Sequence, residues 1–164
     1  MMNVYLAGRF SRLPELVQYA DQLESLGIHC TSRWLRGGHE WVGTSDDDIP
    51  VDRLAQFAQE DLDDLNAADV LVCFTESPRT GPARGGRHVE MGYALAKGKA
   101  IVVVGHYENV FYCLPHLWYV EGWDHALQFL INAEASGMVV PLPPRFRIGD
   151  WVERTFQAEE DQHV

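Results

Sequence analysis

The sequence predicts a doubly wound α/β domain with about five parallel strands. Three observations predict it. Short apolar runs alternate with stretches of helical period along most of the chain, the pattern that gives a parallel sheet covered by helices. The runs NVYLA at 3–7, DVLVCF at 69–74 and AIVVV at 100–104 are continuously apolar, as strands buried on both faces are. At 164 residues the chain suits one core that needs no metal or disulfide to hold it.

Taken in order, residues 3–7 read as a first buried strand, which runs through Gly-Arg-Phe-Ser-Arg into a helix beginning near Pro14. Leu16, Val17, Ala20, Leu23 and Leu26 recur at helical spacing, and Gly27 sits where a C-terminal cap glycine is favoured. Residues 28–32 read as strand two, and the Gly-, Asp- and aromatic-rich stretch 34–50 reads as a loop. Helical spacing returns over 51–67, followed by strand three at 69–74. A Pro-, Arg- and Gly-rich stretch over 76–86 precedes a third helix that stops at Gly98, and strand four is AIVVVG at 100–105. A short strand near 117–120 and a helix near 123–135 close the alternation. The crossovers of such a chain are right-handed, giving a flavodoxin- or Rossmann-like sheet. Residues 1–138 are thus read as one domain and 139–164 as a C-terminal extension, open between an edge strand, a subunit-contact arm and a flexible end.

Composition narrows the function. The net charge of −11 disfavours duplex nucleic acid, whose binding depends on cations neutralising phosphates. No apolar run nears the ~20 residues of a membrane span. The opening MMNVYLAGRF has no basic segment followed by a long apolar stretch, so a cytoplasmic protein acting on a small ligand is expected. Cys30, Cys73 and Cys113 are too few and too scattered for a disulfide framework or a zinc site, and are expected to be buried reduced thiols. The acidic residues gather at 46–48, 60–64 and 158–161, the arginines at 9–12 and 79–87.

In a sheet of this kind ligands bind beyond the carboxyl ends of the strands, so the loops after Ala7, Ser32, Phe74 and Val104 should line a site. Three residues are out of place for pure packing. Asp61 falls on the apolar stripe set by Leu54, Phe57, Ala58, Leu62 and Leu65, where a carboxylate needs a partner or a purpose. Asp63 and Asp64 read as exposed charges. Glu90, three before Tyr93 and four before Ala94, faces inward from what reads as the first turn of its helix, behind Gly85 and Gly86. A capping carboxylate and a nucleophile are both open there. Tyr5 reads as the end of strand one, either a core tyrosine or a phenol that donates to a carboxylate. Trp34, His39 and Trp41 lie in the loop after strand two, where they would pack, or stack on a base as a lid.

Together the segments YLAG at 5–8, QEDLDDLNAADVLVCF at 59–74 and RHVEMGYALAKGKAIVVV at 87–104 resemble the nucleoside 2-deoxyribosyltransferase superfamily, in order and spacing, over the first four strands. The resemblance implies that Glu90 is a nucleophile, that Tyr5 orients it, and that Asp61 contacts or protonates the leaving base. It implies a double displacement through a covalent glycosyl-enzyme, without metal or organic cofactor. A nucleoside or its 5′-monophosphate and a free base are the implied partners, and a homo-oligomer the implied assembly. The 109–119 segment NVFYCLPHLWY, which has no evident place in one core, fits that assembly.

One departure matters. The transferases commonly carry an acidic residue shortly before the glutamate, whereas this chain has Arg84, Gly85, Gly86, Arg87 and His88. HVE followed by Gly and an aromatic residue resembles the branch that hydrolyses nucleoside 5′-monophosphates. The arginines and the glycine N–H groups would suit that phosphate, and Gly8, Arg9, Ser11 and Arg12 after strand one form a second candidate cradle. His88 and His106 fall near the site without an assigned role. A non-catalytic nucleotide-binding sensor or sequestering protein on the same fold is the alternative. A structural subunit that binds a partner through its aromatic C-terminal segment is a third reading.

Overall fold

The computed structural model describes residues 1–37, 49–76 and 85–137. The tail from 139, and with it the proposed extension, lies outside them, as do His39, Trp41, Arg84 and the acidic runs 46–48 and 158–161.

Five strands, β1 (Asn3–Ala7), β2 (His29–Cys30), β3 (Val70–Phe74), β4 (Ala100–Val104) and β5 (Trp118–Val120), form one parallel sheet in the order β2-β1-β3-β4-β5. The predicted doubly wound α/β fold is the observed one. Tyr5 pairs with Leu71, and Val72 with Val102, so the apolar centres of β1, β3 and β4 lie side by side. Every residue of β3 is buried, which is why its sequence shows no polar alternation.

Four α-helices connect the strands: α1 (Leu13–Ser25), α2 (Val51–Ala67), α3 (Gly86–Ala96) and α4 (Trp123–Ala135). Pro14 stands in the first turn of α1, where its missing N–H costs nothing, and Gly27 beyond the end takes a φ of 76°. α1 meets α4 where Tyr19 stacks on Trp123 with ring centroids 4.4 Å apart, and Trp123 Nε1 donates to Gln22 Oε1 at 2.5 Å. α2 meets α3 where Tyr93 Oη donates to Asn66 Oδ1, and Lys99 Nζ donates to the carbonyls of Asn66 and Ala68 at the end of α2.

Several expectations are corrected. Strand two is only His29–Cys30, and residues 33–36 form a short 3-10 turn in the stretch read as loop. The stripe on α2 is buried only towards its C-terminal end: Leu65 is buried, whereas Leu54 and Ala58 are exposed. Asp64, read as a surface charge, is 7% exposed. It accepts hydrogen bonds from the Arg33 backbone N–H at 2.9 Å and from Arg33 Nε at 2.6 Å, and so ties the turn after β2 to α2. Asp63 is exposed, as expected. Of the cysteines, all free, Cys73 is buried, Cys30 half-buried and Cys113 exposed. No helix among the described residues is long and apolar enough to cross a membrane.

Candidate active site

The order of the sheet reverses direction between β1 and β3, and the crevice beyond their carboxyl ends is where such folds bind ligands. Tyr5 is the middle residue of β1 rather than its end, and is fully buried. Its phenol reaches α3 and donates to Glu90 Oε1 at 2.6 Å. Two residues 85 apart in sequence thus form one unit. Such a bond favours the carboxylate over the acid, because a charged oxygen is the stronger acceptor of the phenol's proton.

Glu90 is the fifth residue of α3, which starts at Gly86, so it lies in the second turn rather than the first. The free N–H groups of the helix start are therefore a turn away from it. Burial pushes the Glu90 carboxyl above its usual range, opposed first by the bond from Tyr5 and then by the positive charge of Arg87. The Tyr5 phenol is held well above its normal range by burial, then by the charges of Glu90 and Asp61. It therefore stays a donor at neutral pH. Asp61 is half-buried on α2, and its charge is felt at Tyr5, which places it on the same cluster.

Gly85, the N-cap of α3, takes a φ of 83°, a left-handed conformation that favours glycine. Gly86 is exposed and opens the helix. The two residues that follow are already engaged. Arg87, 7% exposed, donates through Nη2 to Glu108 Oε2. His88 Nε2 stands 3.5 Å from the same oxygen, and its Nδ1 shares a hydrogen bond of 2.9 Å with Tyr112 Oη. Arg87 and His88, expected to meet a ligand, are thus held by the loop after β4.

Glu108 and Tyr112 were not foreseen as site residues. Glu108 also accepts from the Glu76 backbone N–H at 2.5 Å, so it joins the ends of β3 and β4 to the start of α3. Tyr112 is fully buried and lies 3.7 Å from Cys73 Sγ. Burial holds that thiol up at about 12, so it is un-ionised. The placement of Tyr112 also corrects the view that 109–119 lacks a place in the core: Tyr112 and Leu117 are buried, while Val110 and Phe111 stand 77% and 63% exposed. The available signal was topological, since the loop after Val104 was expected at the site.

The loop after β1 is largely committed to packing. A Cβ on Gly8 would lie 2.7 Å from Leu16 Cδ1, so the glycine admits α1. Arg12 pairs with Glu15 through two bonds of 2.7 and 2.8 Å, and its guanidinium lies 5.1 Å from the centre of the Phe74 ring. Arg9 is half-buried and Ser11 exposed, and the Arg9 carbonyl accepts from the Arg12 N–H. Trp34 is buried, and its indole donates to the Leu6 carbonyl at 3.0 Å, which fixes the ring against β1. His106 is exposed.

No protein-family profile matches the chain. No curated protein matches it either. Among solved structures, the chain is similar to a 2-deoxyribosyltransferase from Bacillus psychrosaccharolyticus, with a TM-score of 0.60 and 21% identity over 88% of this chain and 99% of that one. It is also similar to a CMP N-glycosidase from Clostridium botulinum, with a TM-score of 0.48 and 22% identity over 78% of this chain and 97% of that one. The first likeness shows that the chain has the fold of a 2-deoxyribosyltransferase, the fold that the sequence resemblance implied.

Proposed function

We propose that the protein is an enzyme of the nucleoside 2-deoxyribosyltransferase type that cleaves the N-glycosidic bond of a nucleoside or its 5′-monophosphate. The observation that carries this reading is the bond from Tyr5 to Glu90 at the switch point of the sheet. A glutamate partly removed from water, yet held towards its ionised form by a phenol and an arginine, is suited to attack carbon. The fold shared with a 2-deoxyribosyltransferase supports the same reading.

In the proposed reaction a Glu90 oxygen attacks the anomeric carbon and the carbon–nitrogen bond to the base breaks. The base leaves with the electron pair and takes a proton from Asp61 or from water. A nitrogen of another base, or water, then attacks the same carbon and gives up its proton to Asp61 or to water, and the ester to Glu90 breaks to restore the carboxylate. Tyr5 keeps its proton throughout and aims the nucleophile. A nucleotide-binding sensor on this fold would have no use for a carboxylate so held, which favours the catalytic reading.

Within this reading the 5′-monophosphate is the preferred substrate. Gly85 and Gly86 leave backbone N–H groups at the start of α3, where the helix dipole favours an anion. Arg84 and Arg87 are the candidate guanidiniums for the phosphate, Arg87 being already paired with Glu108 through Nη2.

The test is incubation with a panel of nucleosides and 5′-monophosphates, with chromatography for free base and mass spectrometry for a glycosyl adduct on Glu90. Base release that the Glu90→Ala variant lacks is expected. No release from any substrate, or undiminished release in the variant, sinks the mechanism. Arg84→Ala should raise the Michaelis constant for the monophosphate and leave the nucleoside unaffected.

A further inference from the structure

We propose that Glu108 is a positioning residue for Glu90, acting through Arg87: it anchors the guanidinium and the start of α3 from the loop after β4. The proposal rests on the reading of Glu90 as the nucleophile, and assigns a role to a residue of no evident purpose in the sequence.

The anchor is built locally. Gly105 leaves β4 with a φ of 111°, and a Cβ there would lie 2.8 Å from Thr75 Oγ1 and 3.2 Å from the Thr75 carbonyl, so the loop crosses closely over the end of β3. Asn109 then opens a 3-10 turn over Val110–Cys113, its side chain accepting from the Phe111 N–H at 2.9 Å. The turn brings Glu108 and Tyr112 back onto α3 together. With its side chain only 10% exposed, Glu108 holds two donors from two other segments, the Glu76 N–H and the Arg87 guanidinium, and its carboxylate stands 3.5 Å from His88 Nε2. Tyr112 takes the other nitrogen of His88. The second and third residues of α3 are thus clamped from outside the helix, and Glu90 follows within one turn.

The clamp is also electrostatic. Tyr5 from β1, Arg87 from its own helix and Cys73 from β3 act directly with Glu90; Asp61 and Asp64 of α2 act on Tyr5, and Glu108 and Tyr112 from the loop after β4 act on Arg87, with His88 held between them. Asp64 pairs with Arg33, and the Cys73 thiol is un-ionised. Arg87 is the cation that favours the Glu90 carboxylate, and Glu108 both holds it and offsets its charge. Glu108 therefore sets how much of that charge Glu90 feels, which a purely structural brace would not do.

The experiment follows the Glu90 side-chain carboxyl by NMR in protein labelled with ¹³C-glutamate, the resonance assigned by its loss in Glu90→Gln. Glutamine at 108 keeps one of the two acceptor oxygens, which can stay on the Arg87 guanidinium, and removes the charge, so Glu108→Gln should move the Glu90 titration down by roughly 0.5–1 unit. Arg87→Met with Glu108→Gln removes both charges, a change that buried pairs tolerate better than loss of one partner, and should move it up. Opposite displacements support the proposal. A titration that stays in place, or moves the same way in both proteins, overturns it. The readout does not need turnover: absence of base release would sink the catalytic reading and leave this result standing.

Discussion

Tyr5 Oη lies 2.6 Å from Glu90 Oε1, and the phenol can only be the donor, because burial and the neighbouring carboxylates keep its proton in place. The bond joins the centre of the sheet to the second turn of α3, so strand and helix must both be in register before the carboxylate points anywhere useful.

Tyr5→Phe removes the donor and little else. The Glu90 pKa, already raised by burial, should rise further, since the largest opposing influence is gone. As the ionised form attacks, the acid limb of kcat/KM should move to higher pH and the rate should fall by roughly 10- to 100-fold. A pH profile of base release would show both. A lower melting temperature with an unmoved limb would make Tyr5 a core residue only.

Glu90→Gln should abolish base release and stabilise the fold at neutral pH. A carboxyl whose folded pKa lies above its unfolded value of about 4.3 favours folding only while protonated, and that contribution is lost as pH rises through the folded pKa. Glutamine carries no charge to desolvate. The gain in melting temperature over the parent should therefore be present at pH 7 and vanish below about pH 4. Calorimetry across that range checks it, and a constant difference would contradict it.

Asp61→Asn should slow base release by about 10²-fold or more, the scale of a positioned acid–base group. An unchanged rate with lower stability would make Asp61 a brace between α2 and β1.

Gly105→Ala combines a strained φ with a Cβ driven against Thr75. A loss of roughly 2 kcal/mol, or about 4–8 °C in melting temperature, is expected for strain of this kind. Because the same turn carries Glu108 and Tyr112, base release should fall with it. Unchanged thermal melting would mean that the loop can leave Thr75 freely.

A homo-oligomer is expected, and light scattering at micromolar concentration measures it directly. Phe111 and Val110 stand exposed on the turn that anchors α3, and Val51 is 81% exposed at the start of α2. A monomer would refute the expectation.

The order of strands and helices and the three residues Tyr5, Asp61 and Glu90 were legible in the sequence. The elements follow from short-range rules, since apolar runs and helical period identify them, whereas pattern alone left the three residues open between packing and chemistry and the family resemblance singled them out. The start of α3 was legible less well. Gly85 and Gly86 marked it, but which turn held Glu90 depended on where the helix begins, a boundary that caps decide to within a residue or two. Asp64 looked exposed because its partner, Arg33, lies 31 residues away across a crossover, and no periodicity encodes such a pair. Arg87 looked free to meet a ligand for the same reason. Whether an arginine meets solvent, substrate or a glutamate is set by what the next loop brings over it, and here Gly105 and the turn at 110–113 bring Glu108 and Tyr112. Local patterning thus determined the scaffold and marked the carboxylates as out of place. The partners of the charges were decided only by the tertiary structure, because burial and ion pairing depend on distances between segments far apart in the chain.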